Sequence, residues 1–332
     1  MSSLSDCAPG ASSTSHPGGA APDGNPCGAL RLTDWGVIRA RGDDAESFLQ
    51  GQLTNDVSGL RGGSAAVLAG YCSAKGRLLA TFVVWRDDAD DFLLACSADL
   101  LAPTLKRLSM YVLRARCKLS DATADVPLWG LAGAAAVSAF GANWPQRAWE
   151  AASLQGAGRL IRFPDALADA GVVPRALLAG GGPPAALPAL DASAWRWLEA
   201  RSGTARIVAA TVEQFVPQMV NLELVGGVSF RKGCYPGQEV VARSEYRGTL
   251  KRRAYVLRAA AALEPGQEVF HSEDPGQPAG LVVLGGGHAG TFAGLVELKI
   301  AATAGGSLHL GSADGPLLTF VDQPYALPAA AA

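Results

Sequence analysis

The run Arg231-Lys232-Gly233-Cys234-Tyr235-Pro236-Gly237-Gln238-Glu239-Val240-Val241-Ala242-Arg243 brings a thiol, an amine, two glycines and a carboxylate into one short segment. A cysteine reacts or binds metal as the thiolate, so its neighbours decide whether it does chemistry. Proline suits the first helical position, where its missing N–H costs nothing. The segment therefore predicts Tyr235 as a cap and a helix over 237–247 with Gln238 and Glu239 in its first turn, leaving Cys234 just outside the positive end of the dipole. In an extended run Lys232 would project on the same side as Cys234. Dipole and ammonium both favour the thiolate, and the Cys234 thiol is expected below its ordinary pKa. The same residues also suit a tight turn that needs Gly233, with Cys234 packed as a small hydrophobe. His16, His271, His288 and His309 lie far off in sequence and offer no obvious base for a Cys–His pair.

Elements that could position this segment follow from apolar periodicity. Residues 30–41 read as strand. Asp43, with Glu46 three residues on, reads as the cap of a helix carrying Ala45, Phe48, Leu49 and Leu53 on one face. Strands are predicted at 67–72, 77–86 and 92–96, a helix at 98–110 and a strand at 111–119. The alternation restarts with a strand at 126–132, a helix at 134–140, strands near 159–163 and 172–178, and a helix at 191–201. From about residue 251 the helical period gives way to short apolar runs between Gly and Pro turns, which suggests a small β-barrel or sandwich. The fold class expected is α+β: two similar antiparallel α+β units (29–125 and 126–250) and a C-terminal β-barrel (251–332), after a tail at 1–28 expected to be disordered.

Composition narrows the function. With 49% hydrophobic and 17% charged residues the chain is globular, and its formal charge of −2 gives no overall attraction to nucleic acid or an anionic membrane. Six scattered cysteines without C-x-x-C pairs argue against a disulfide framework and a zinc ribbon, so no metal site is expected and a reducing cytoplasm fits. No signal peptide and no membrane span are expected. Arg243, Arg247 and Lys251 recur every four residues and would form one stripe on a continuing helix, suited to carboxylates or phosphates, with Arg252 and Arg253 beside it. A solvated charged face is the alternative. Asn55 and Asp56 could hydrogen-bond the edge of a ring ligand, or simply close the turn after a helix.

The 232–239 segment resembles the Lys-Gly-Cys-[Tyr/Phe]-x-Gly-Gln-Glu signature of the YgfZ family, folate-binding proteins related to the T-protein of glycine cleavage. Three further stretches are similar to the same family: 43–56, Tyr71-Cys72-Ser73-Ala74-Lys75-Gly76-Arg77, and Phe215-Val216-Pro217-Gln218-Met219-Val220-Asn221-Leu222. The resemblance covers roughly residues 29 to 255 and implies two ferredoxin-like domains and a barrel, set as a ring about a central folate channel. It further implies tetrahydrofolate or a derivative as cofactor, with Trp35 and Trp195 lining its site. Asn55, Asp56, Gln238, Glu239, Arg243, Arg247 and Lys251 are the other candidate contacts.

Function by resemblance is that of a folate-dependent factor, more a non-enzymatic one than an enzyme. It would support iron–sulfur cluster assembly or repair in client enzymes, including those that thiolate tRNA, so that tRNA is reached indirectly; Cys234, with Lys232, would be its reactive centre. Two alternatives stand beside this reading: a folate-dependent aminomethyltransferase, and a tRNA-binding modification factor using the basic stripe. The stretch Leu94-Ala95-Cys96-Ser97-Ala98-Asp99 lacks the Asn-Ala-x-Asn pattern of the aminomethyltransferase, although Asp99 supplies a carboxylate.

Overall fold

The computed structural model of the chain describes residues 24–60, 63–154, 158–246 and 250–328. The predicted strand at 30–41 is two strands, β1 (Gly28–Arg31) and β2 (Trp35–Arg41), which enter different sheets. After β2 come α1 (Ala45–Gln50), β3 (Ala66–Cys72), β4 (Leu78–Asp88), β5 (Asp91–Ser97), α2 (Ala98–Val112) and β6 (Lys118–Asp121). These strands pair antiparallel in the order β3-β4-β5-β2-β6. Residues 111–112 finish α2 instead of starting a strand. The α1 cap is Asp44, not Asp43, and its carboxylate accepts from the Arg116 amide (2.7 Å) rather than from its own helix. Glu46, expected in a capping box, pairs with Arg86 at 3.0 Å.

The second sheet has the order β1-β7-β10-β9-β8, with β7 (Leu128–Ala132), β8 (Ala151–Leu154), β9 (Gly158–Ala168) and β10 (Gly171–Ala179). Helix α3 (Gly133–Phe140) covers its outer face. The period-2 rule explains how the two sheets meet. Trp35, Val37, Val83 and Trp85 face Ile161, Phe163 and Leu177 of the second sheet, whereas Ile38, Ala40, Phe82 and Val84 face Phe48, Leu49 and Leu108 of α1 and α2. Both faces of β2 and β4 are buried, each large side chain contributing about 1.5–3 kcal/mol, and so these strands read as unbroken apolar runs.

Helix α4 (Ala192–Arg201) starts at Asp191, whose carboxylate accepts from the amides of Ser193 (2.8 Å) and Ala194 (3.1 Å). Helix α5 (Gln238–Tyr246) precedes a closed barrel of β11 (Arg252–Ala259), β12 (Glu268–His271), β13 (Asp274–His288), β14 (Thr291–Lys299), β15 (Leu308–Leu310) and β16 (Leu317–Phe320). No helix among the described residues is long and apolar enough to cross a membrane.

Candidate functional site

Phe163 of β9 is the hub of an aromatic group between the sheets. Its ring centroid lies 6.2 Å from that of Trp35, 5.6 Å from Trp149 and 6.5 Å from Trp195. Trp195 lies flat over Gly130 of β7, where a Cβ would meet its ring atoms at 2.9 Å. Beside this group is a cavity of about 30 Å³ whose wall includes Trp35, Phe163, Arg175, Glu199, Thr204 and Arg206. Trp195 is not on that wall. It stands behind Arg175, whose guanidinium carbon is 5.4 Å from its ring centroid. The indole nitrogens of Trp35 and Trp195 and the hydroxyl of Thr204 are buried without a hydrogen-bond partner among the described residues. Such orphans are rare and mark a place where a partner belongs.

One ion-pair network separates this cavity from a wider cleft. Arg206 Nε and Nη2 donate to the two carboxylate oxygens of Glu199, both at 3.0 Å. Nη2 also reaches Asp34 (3.0 Å), Nη1 reaches Ser97 Oγ (3.1 Å), and the guanidinium stacks 4.9 Å from the Trp35 ring centroid. Burial pulls the Arg206 pKa down, but Glu199 and Asp34 together outweigh it and hold the proton more firmly than usual. Glu199 and Arg206 also line the outer cleft, about 420 Å³, with Asp34, Asp99, Arg196 and Glu264. Both sheets thus line the cavity, the end of the first sheet, α4 and the barrel line the cleft, and the two spaces meet at Glu199 and Arg206.

The cysteine segment lies elsewhere, against the turn at 73–76. Gly237 has φ +80 and sits so close to that turn that a Cβ would overlap the Ser73 carbonyl and come within 2.6 Å of Gly76 Cα. This corrects the predicted helix start: α5 begins at Gln238, Pro236 lies outside it, and a turn closed by Gln238 N to Tyr235 O (3.2 Å) separates Cys234 from the helix end. Gly233, expected to be the required turn glycine, has open space around it. Lys232 is buried, and its Nζ donates to the carbonyls of Gln50 (2.5 Å) and Leu53 (2.6 Å), 4.9 Å from the Tyr235 ring centroid. Cys234 is exposed. The amine thus acts as a strut that ties the loop to the carbonyl end of α1, with its charge matched to the negative end of that helix. Burial pushes the thiols of Cys72 and Cys96 up to about 12, which leaves them inert. Among the described residues Cys234 is the exposed free cysteine.

Burial also lowers Lys232 to about 8, against the opposing pull of Asp56 and Cys234. The sign is then fixed. Between pH 8 and the unfolded value of 10.5 the unfolded chain binds more protons, so Lys232 adds stability as pH rises through that window. Urea unfolding from pH 8 to 10 should show a gain on the order of 1–3 kcal/mol that Lys232→Met abolishes. A flat difference between the two proteins would contradict it.

The remaining candidates separate into structural roles. Asn55 Nδ2 donates to the carbonyls of Leu68 and Gly226, both at 2.7 Å. Asp56 accepts from Ser58 Oγ (2.6 Å) and Gln50 Nε2 (3.1 Å), and the Ser58 hydroxyl is the main cause of its lowered pKa. Helix α5 ends at Tyr246, so Lys251 stands off the helix just before β11 and the predicted basic stripe is broken. Arg247 lies outside the described residues. Arg252 and Arg253 are taken up in ion pairs with Glu297 and Glu223. Arg243 and Glu239 are exposed on α5, Gln238 is half-buried there, and none of the three lines the cavity or the cleft. Gln218 and Asn221 form a joint: Gln218 Nε2 holds the Val241 carbonyl (2.8 Å) and Asn221 Nδ2 the Ala254 carbonyl (2.7 Å), tying α5 to the barrel.

Comparison with known proteins places this architecture. No protein-family model matches the chain. A tRNA-modifying protein YgfZ from Edwardsiella ictaluri is 37% identical over 255 residues, spanning 72% of this chain and 73% of its own length. The chain belongs to the YgfZ family. Its counterpart in Klebsiella pneumoniae, also named tRNA-modifying protein YgfZ, is 34% identical over 249 residues, 72% of this chain and 74% of that one. The crystal structure of glycine cleavage system aminomethyltransferase T from Bartonella henselae matches with a TM-score of 0.69 over 90% of this chain and 86% of that one. At 15% identity that likeness is one of fold.

In this YgfZ chain, the residues around the cavity suit a folate. A pterin needs an aromatic wall and hydrogen-bonding partners for its edge; groups of these kinds, Trp35, Phe163 and the unpartnered Trp35 N–H and Thr204 hydroxyl, line the inner cavity beside the cleft. The outer cleft falls within the ~300–1,000 Å³ of small-molecule sites, whereas the inner cavity is far below it. Sequence reasoning missed Arg175, Glu199, Thr204 and Arg206. The available signal was charge inside apolar runs, as with Arg175 in the strand after Pro174.

Proposed function

We propose that this YgfZ protein binds a tetrahydrofolate in the cleft lined by the end of the first sheet, α4 and the barrel, next to the cavity at Trp35, and that it supports iron–sulfur cluster assembly or repair in client enzymes, including tRNA-thiolating ones. Cys234 is the thiol that meets the client. The buried, partnerless Trp35 indole on the cavity wall carries the folate reading, because a native interior rarely leaves such a donor unmet. A folate, when bound, supplies a one-carbon carrier; the chain's own residues orient it and exclude water. A single exposed thiol cannot hold a cluster by itself, so Cys234 acts as a transient ligand or nucleophile.

Calorimetric titration with tetrahydrofolate tests the binding. Trp35→Phe keeps the aromatic face and removes the N–H, and should weaken affinity about fivefold to tenfold, the worth of one hydrogen bond. Unchanged affinity would move the ligand elsewhere.

One observation favours an aminomethyltransferase as a second reading: Asp99 lines the cleft, where its carboxylate accepts from the Ala209 amide at 2.9 Å. Folate-dependent transfer from an aminomethyl-lipoyl carrier would establish that enzyme, and its absence would leave the accessory role.

A further inference from the structure

The C-terminal end of α2 carries a surface that the fold itself does not use. Leu101, Thr104 and Leu108 bury one stripe of this helix, the two leucines against the first sheet. On the other side Lys106 and Met110, with Leu113 and Arg114 just past the helix end, follow at helical spacing, and Tyr111 lies beside them. Met110 is 59%, Tyr111 46% and Leu113 87% exposed, so three of the seven exposed large hydrophobics among the described residues fall within four positions. Leu113 ends the helix at φ 46 and ψ −103, a conformation open to glycine and strained for a residue with a Cβ. A leucine that is both strained and bare gains nothing from the fold, and such outliers cluster where a surface binds something.

The charge around this tip has one sign. Residues 100–120 include Lys106, Arg107, Arg114, Arg116 and Lys118 and no aspartate or glutamate. Arg116 is held by Asp43 (2.7 Å) and Asp44 (3.4 Å), just before α1. The other four make no ion pair among the described residues. The Arg107 guanidinium carbon lies 6.0 Å from the Tyr111 ring centroid, which keeps that ring on the cationic face.

An aliphatic tip within a cationic rim discriminates among occupants. Nucleic acid would satisfy the cations and leave Leu113 and Met110 without partners. A protein would need an apolar seat shaped to the tip and ringed by carboxylates. An anionic bilayer surface meets both demands without a matched shape. Aliphatic side chains enter the acyl boundary, a tyrosine settles at headgroup level, and lysine and arginine lay their stems along the apolar layer with their charges on phosphates.

We infer that the C-terminal end of α2 seats the protein on an anionic lipid surface, with Met110, Tyr111 and Leu113 entering the interface and Lys106, Arg107, Arg114 and Lys118 meeting lipid phosphates. The attraction is local, since the chain as a whole has a formal charge of −2. Ala98 and Asp99, at the other end of this 15-residue helix, line the cleft. At about 1.5 Å per residue the two ends are roughly 20 Å apart, so docking leaves the cleft clear and holds with or without a folate there.

Co-sedimentation of the full-length protein with phosphatidylcholine vesicles containing about 30% phosphatidylglycerol, in about 0.1 M salt, tests the docking. Binding should be at least about tenfold tighter than to pure phosphatidylcholine vesicles, and should weaken at least about fivefold in about 0.5 M salt. Arg114→Glu should weaken it about tenfold. Leu113→Gly removes the tip and relaxes the backbone, so it should bind about fivefold more weakly while its urea midpoint matches or exceeds that of the wild type. A purely structural leucine would not separate the two readouts in this way. Absence of binding to the anionic vesicles, or binding that both variants leave unchanged, would overturn the inference. Binding of bulk tRNA that Arg114→Glu weakens, without vesicle binding, would assign this face to nucleic acid and overturn it as well.

Discussion

Arg206→Ala should lower the stability of the protein by about 3–5 kcal/mol, read as a fall in the urea midpoint with an unchanged slope. Breaking a buried pair costs more than the pair contributes, because the partner left behind is a charge in a place without water. Glu199 is 4% exposed, and Arg206 supplies a matched donor to each of its carboxylate oxygens. The same guanidinium also fastens Asp34, in the connection between β1 and β2, and Ser97 at the end of β5. One side chain therefore holds α4 to one end of the β2–β5 pairing, where Trp35 lies opposite Ser97. Adding Glu199→Gln to Arg206→Ala should recover part of the loss, since a neutral amide is far cheaper to bury than a carboxylate. Were the single variant within about 1 kcal/mol of wild type, as exposed pairs are, the network would not be a stabilising joint.

How much of this was legible beforehand depended on whether the signal was local. Period-2 and period-3.6 patterns placed the helices and most of the longer strands, because burying one face of an element is a property of that element. The break at Thr33-Asp34 was not legible: residues 30–41 are apolar enough to read as one strand, and what divides them is that β1 pairs with β7 almost 100 residues later. Asp43 and Asp44 were equivalent by composition; both carboxylates meet the Arg116 side chain, and Asp44 also accepts the Arg116 backbone amide. Strand β8 is short and at a sheet edge, where the apolar pattern is weakest. At the site, Trp35 was found because the family resemblance pointed to it, whereas Arg175, Glu199 and Arg206 meet only through tertiary packing. Lys232 shows the same limit from the other side. Its spacing to Cys234 suggested a shared face, but the carbonyls of Gln50 and Leu53, about 180 residues earlier in the chain, draw the amine inward.

On the role proposed for Cys234, Gly237→Ala should disable the protein in cells as thoroughly as Cys234→Ala should, although it leaves every reactive group in place. The left-handed backbone at φ +80 costs an L-residue roughly 1–2 kcal/mol. The added methyl would also overlap the Ser73 carbonyl and the Gly76 backbone, which cannot give way as a flexible side chain would. Gly76 is itself a positive-φ glycine whose missing Cβ makes room for Val240. Neither turn can shift toward the other for relief. Lys232 anchors the far end of the segment, so the strain falls on the residues between, Gly233 to Pro236, which present the thiol. The measurement is thiolation of tRNA in cells carrying each variant as the only copy, with Gly233→Ala as control, because a methyl there meets nothing within 4 Å. Loss with Gly237→Ala and Cys234→Ala but not with Gly233→Ala would show that the loop geometry serves the sulfur. Full activity in Gly237→Ala would mean that the close contact between the two glycine turns has no bearing on how the thiol is presented.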